Sequence, residues 1–101
     1  MSVVVLTLIA PMALKEDLVA AMLAHEPTAQ AGFVARAVEG HGRNVDFDSV
    51  VEQVRGYTLA VEIVLTVAEI DARGLLDALG DEFTGRGVSW RIMPTTAAGT
   101  L

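Results

Sequence analysis

The chain has no cysteine. Disulfides and thiolate metal sites are therefore excluded, and the redox compartment is left open. Basic residues are few: seven Lys and Arg stand against thirteen Asp and Glu, for a formal net charge of −6. A nonspecific nucleic-acid binder needs the opposite sign, and so does a protein drawn to anionic lipid. Long apolar runs are also missing. The stretch SVVVLTLIAP follows Met1 with no basic residue. It is too short to span a bilayer and lacks the charged start of a secretory leader. Direct membrane insertion is not expected, and a cytoplasmic protein is the default. There is no H-x-x-x-H pair, no Ser-His-Asp order and no metalloprotease motif, so an enzyme is not expected.

What the chain does have is apolar surface. Hydrophobic residues make up 52% of its 101 positions, with mean hydropathy +0.49. The length predicts one domain. A domain this small cannot hide so much apolar surface alone, and association is the expected remedy.

Residues 33–66 organise the rest. From Tyr57 to Val67 the residues Tyr57, Leu59, Val61, Ile63, Leu65 and Val67 alternate with Thr58, Ala60, Glu62, Val64 and Thr66. Strict period two puts the first set on one sheet face. Phe33 to Glu39 reads as a second strand, with Ala35 and Ala37 opposed to Val34, Arg36 and Val38. Between the two lies a long excursion, residues 41–56, and long loops carried on rigid sheets are usually functional. Within it, Ser49 and Glu52 form a capping-box pattern ahead of a short helix closed by Gly56.

The flanks complete the order. Val3 to Ala10 reads as a central strand ended by Pro11. Met12 to Glu26 carries the helical stripe Leu14, Leu18, Met22, and Pro27 is expected to stop it. A second capping-box pattern, Thr66 to Glu69, precedes a helix to Phe83. Gly74 and Gly80 each cost that helix about 1 kcal/mol relative to Ala, which predicts close packing on the sheet. Thr84-Gly85-Arg86-Gly87 reads as a tight loop. Val88, Trp90 and Ile92 alternate with Ser89, Arg91 and Met93 in a last strand ended by Pro94. Core or subunit-interface packing is expected of Trp90. The order is β-α-β-(short α)-β-α-β. That is the α+β, ferredoxin-like βαββαβ (split βαβ) arrangement, with a four-stranded antiparallel sheet and one sheet face open. Residues 1–94 form the domain and 95–101 a tail.

These segments resemble the PII-like signalling proteins of the nitrogen regulatory protein PII and CutA superfamily. The resemblance rests on V-x-G-x-G-R at Val38 to Arg43 and on the hydrophobic strand running into Glu69. It rests also on Thr84-Gly85 and on the last strand ending Ile92-Met93-Pro94. The short arm with E-Q-V-R-G, Glu52 to Gly56, is similar to a bacterial subgroup of unknown function often encoded beside heavy-metal efflux pumps. The resemblance implies a homotrimer with ligand clefts between subunits. It implies an arm at 41–56, the T-loop, that docks on a membrane transporter or an enzyme. It also implies a ligand held between the base of that arm and the loop before the last strand. Three departures weigh against ordinary ATP and 2-oxoglutarate sensing. Asn44 stands where nucleotide-binding members have Gln, Ser89 where they have Lys, and A-A-G-T-L where they end in paired arginines.

The candidate ligand residues are Gly40, Gly42, Arg43, Gly85, Arg86, Gly87 and Arg91. Their glycine amides and guanidinium groups suit a small anion. His41 with Asp46 and Asp48 offers nitrogen and oxygen to a divalent transition metal, Zn²⁺, Cu²⁺ or Ni²⁺. A lone histidine in a glycine turn is more often an exposed loop residue. His25, at the end of the first helix, suits a helix-end role better than a ligand role. The function expected is ligand or metal sensing that modulates a transporter, with a heavy-metal efflux system as the partner. The alternative is a CutA-like divalent-metal protein without a transporter partner. An acylphosphatase-type enzyme on the same topology would need a glycine-rich loop with an arginine after the first strand. Ala10-Pro11-Met12-Ala13 occupies that place.

Overall fold

The most apolar strand takes a central place. In a computed structural model describing residues 2–42 and 57–101, Val3–Pro11 (β1) lies between Thr58–Ala68 (β3) and Ser89–Pro94 (β4). Val34–Gly40 (β2) pairs with the far side of β3, so the sheet order is β2-β3-β1-β4 with every pairing antiparallel. Helices Lys15–Ala24 (α1), Glu26–Ala31 (α2) and Glu69–Phe83 (α3) complete the ferredoxin-like α+β arrangement. The short helix expected in the arm, like the arm residues 43–56 themselves, lies outside the described residues.

Period two sorts the sheet cleanly. Val4, Leu6, Leu8 and Ala10 of β1 stand opposite Val67, Leu65, Ile63 and Val61 of β3. All eight are buried, and they pack with Leu14, Leu18 and Met22 and with Ala72, Leu75, Leu79 and Phe83 from the helices. The alternate set turns away from the helices. Arg91, Thr7, Val64 and Val34 form one row across it, and Ser89, Ile9, Glu62 and Arg36 form the next. Central Thr7 is buried by its neighbours, Val5, Ile9 and Val64 are half-buried, and Val34 at the edge is 69% exposed. Arg36 and Glu62 pair across the strands at 2.7 Å on this open face. So β1 is covered on one face only, although its sequence fits a strand buried on both.

Three local expectations give way to tertiary structure. Pro27 does not end the first helical segment. The chain pauses at His25 and resumes as α2 with Pro27 in its first turn, where a missing amide proton costs nothing. His25 therefore caps the start of α2, and its Nδ1 lies 2.9 Å from the hydroxyl of buried Thr28. The Thr66 capping box also fails: β3 runs on to Ala68, and the first helical amide of α3, Glu69, bonds instead to the Ser2 carbonyl at 2.9 Å. Finally, the α3 glycines are not pressed on the sheet. A β-carbon at Gly74 would meet only the His25 ring, at an ordinary 3.7 Å. Gly74→Ala is thus expected to stabilise the protein by roughly 1 kcal/mol. Urea unfolding would show it as a higher midpoint at unchanged slope, and a lower midpoint would refute the open space beside Gly74.

Candidate functional site

The two glycine-rich motifs end at the same pole of the sheet. The β2–β3 ladder closes with Gly40 opposite Thr58. Just beyond it the rings of His41 and Tyr57 approach, with centroids 5.5 Å apart. His41 Nε2 lies 3.0 Å from the Glu39 carboxylate, and both side chains are more than half exposed. The strand period puts residues two apart on one side, so Glu39 was available to sequence reasoning as a partner for His41. The arm acids Asp46 and Asp48, which follow His41 in the same loop, masked it. Asp46, Asp48 and Arg43 lie outside the described residues.

The second motif follows α3. Residues 84–87 form a turn in which Gly85 and Gly87 have φ of +79° and +83°, values that disfavour any side chain. Gly87 is further constrained: a β-carbon there would sit 3.4 Å from the Pro11 ring, so the turn folds down on the end of β1. Arg86 spends its charge locally. Its Nη1 donates to the Glu82 carbonyl at 3.3 Å, and its guanidinium carbon lies 5.4 Å from the centre of the Phe83 ring. It thereby supplies the cation that the last turn of α3 lacks. Arg91 is exposed on the open face beside Thr7 and has no ion-pair partner among the described residues.

Gly40 and Gly42 are thus at one edge of the sheet and Gly85–Gly87 at the other. Two strands separate them, a span of about 14 Å at the usual strand spacing. A single small anion cannot touch both corners of one chain. No group of three or more metal-ligating side chains occurs among the described residues. His41 and Glu39 alone offer one nitrogen and one carboxylate, half of a typical tetrahedral set.

A family profile described as "Protein of unknown function (DUF3240)" matches residues 1–101. The chain belongs to the DUF3240 family. Among solved structures it is similar to a DUF3240 family protein from Shewanella baltica, at 24% identity and TM-score 0.77, covering 100% of this chain and 98% of that one. It is also similar to CPII, a nitrogen regulatory PII-like protein from Thiomonas intermedia bound to ADP, AMP and bicarbonate. There the identity is 15%, the TM-score 0.71 and the coverage 100% and 98%. A PII-like signalling protein from Thermus thermophilus follows at 16% identity and TM-score 0.61, covering 94% and 90%. No protein of curated function matches the sequence. At these identities the solved structures carry the fold, and the fold of this DUF3240 chain is PII-like. No helix among the described residues is long and apolar enough to cross a membrane.

Proposed function

We propose that this DUF3240 protein is a cytoplasmic PII-like regulator. It works as a homotrimer that takes a small ligand in clefts between subunits. Its arm, residues 41–56, reports occupancy to a membrane transporter, for which a heavy-metal efflux system is the proposed partner. The observation that carries this reading is the split of the glycine corners between opposite edges of one sheet. Neighbouring copies that bring a β2 edge beside a β4 edge would join them, with Arg91 at the seam. The fold likeness to CPII, which binds ADP, AMP and bicarbonate, supports a ligand carrying phosphate or carboxylate oxygens. The missing counterparts of the nucleotide-clamping residues favour the smaller members of that set.

The His41–Glu39 pair favours a second reading, in which the ligand is a divalent metal ion and no transporter is contacted. One screen separates the two. Bicarbonate, AMP, ADP and ATP, and separately Zn²⁺, Cu²⁺ and Ni²⁺, are added to wild type, Arg91→Gln and His41→Ala. Unfolding temperature is followed, since a ligand of the folded state raises it. The anion reading expects a rise with bicarbonate or AMP that Arg91→Gln loses and His41→Ala keeps. The metal reading expects the reverse pattern with an ion. No rise with any of the anions refutes the first, and no rise with any ion refutes the second.

A further inference from the structure

Three charged side chains lie on the open face of the sheet: Arg36 on β2, Glu62 on β3 and Arg91 on β4. Their pairing within the chain is incomplete. Glu62 is engaged through one oxygen, Oε1, which accepts from Arg36 Nε at 2.7 Å. Its side chain is only 16% exposed, and Oε2 has no partner among the described residues. Arg91 has no acid at all among them.

Thr7, directly opposite Arg91 in the β1–β4 ladder, adds a third unmet group. Two polar residues are buried among those described, Thr28 and Thr7. The Thr28 hydroxyl has His25. Thr7 is 7% exposed, and its hydroxyl has no hydrogen-bond partner among the described residues. No described polar side-chain atom is sealed from solvent without a bond, so this hydroxyl reaches the surface of the open face. A hydroxyl and a guanidinium on adjacent strands form a donor pair that suits a carboxylate. Glu62 of the same chain does not fill it. The two strands that carry Glu62 and Arg91 flank β1, about 10 Å apart at the usual spacing, and the residues stand in different rows.

We propose that neighbouring copies lock their open faces through an ion pair. Glu62 Oε2 of one copy accepts from the Arg91 guanidinium of the next, and the Thr7 hydroxyl there is a second donor. The inference rests on the assembly proposed above and names the residues that hold it. Closing this face removes Arg91 from water, and a buried guanidinium without an acid is strongly unfavourable. Glu62 is the one acid that the described strands place on the face. A second copy therefore brings the group that Arg91 lacks, and the face, with both signs unsatisfied, is complementary to itself. Each copy gives one carboxylate and receives one. A contact between two different patches of this kind closes into a ring, as a trimer requires. A guanidinium has five donors, so Arg91 keeps some for a ligand at the seam.

The test is a double-mutant cycle on the full chain, read as the association constant by sedimentation equilibrium. Arg91→Gln and Glu62→Gln remove one charge each, and the amide replacing the Glu62 carboxylate still offers an oxygen to Arg36. Each is expected to weaken association at least about tenfold, and the double variant no further than either single one. Arg91→Glu, at an exposed position that the fold does not depend on, should be weaker than Arg91→Gln. Adding Glu62→Gln to it should restore part of the loss, which a merely structural role for Glu62 would not do. Single effects that multiply in the double variant would mean that Arg91 is met by another group, an anion from solution included, and would overturn the pair. So would Arg91→Glu that Glu62→Gln does not relieve. A wild-type assembly indifferent to both Gln variants overturns the pair and leaves the assembly reading standing, whereas a wild type of single-chain mass overturns both.

Discussion

Leu6→Ala is expected to cost about 2–5 kcal/mol of stability. Leu6 is fully buried at the middle of the central strand, flanked by Leu65 on β3 and Ile92 on β4. Its side chain points into the one core that the helices and sheet share, so truncation removes apolar burial and leaves a void bounded by three strands and a helical layer. Neighbouring strands held in register by ladder bonds cannot collapse into such a void, which pushes the loss toward the upper part of the range. For a chain of 101 residues the melting temperature should fall by roughly 10–25 °C. Calorimetry or urea unfolding reads the change. A loss below about 1 kcal/mol would be incompatible with a central β1.

The second large effect concerns association. Val64→Asp should leave the fold intact and abolish assembly. Val64 lies on the open face between Thr7 and Val34, directed away from the helical core. Val64 is half-buried, so a carboxylate there still reaches water in a lone chain and costs far less than one in the core. In an assembly that buries this face the same carboxylate would be unpaired and desolvated, a penalty of several kcal/mol at each copy. Sedimentation equilibrium should give a trimer of roughly 32 kDa, three times the 10.7 kDa chain, for wild type, and the single-chain mass for the variant. A wild type that sediments as 10.7 kDa at micromolar concentration would end the trimeric proposal, and with it the closing of the glycine corners between copies.

The sheet was legible because its physics is local. Alternation along β3 assigns each of Val61, Ile63, Leu65 and Val67 to the core face, and the ladder puts all four there. Helix boundaries were less legible because they depend on distant atoms. The Ser2 carbonyl that receives the Glu69 amide is remote in sequence, so Thr66 looked like the cap. Pro27 looked like a stop because nothing nearby in the sequence shows that the chain turns at His25 and starts a new helix. At the candidate site the glycine turns were readable from their composition, and positive φ at Gly85 and Gly87 agrees with it. The engagement of Arg86 with the end of α3 was not readable, since Glu82 and Phe83 only converge on it once the helix has formed. Nor was the exposure of Trp90, which is 54%. The alternation of β4 gives the side of the sheet on which Trp90 lies, but how far α3 extends over that edge is set by how three helices share one face.

One feature of the ladder bears on how the molecule can be handled. Thr95 bonds through its amide and its hydroxyl to the Val3 carbonyl, so the last strand leaves the sheet beside the place where the first one enters. Both lie at the pole opposite Gly40 and the root of the arm. A sensor surface or fluorophore attached through residue 101 would therefore leave the pole of Gly40 and Thr58 free. Attachment there also keeps the probe at the far pole, so immobilised material can test whether a partner binds near Gly40 and Tyr57 without the tether itself standing in the way.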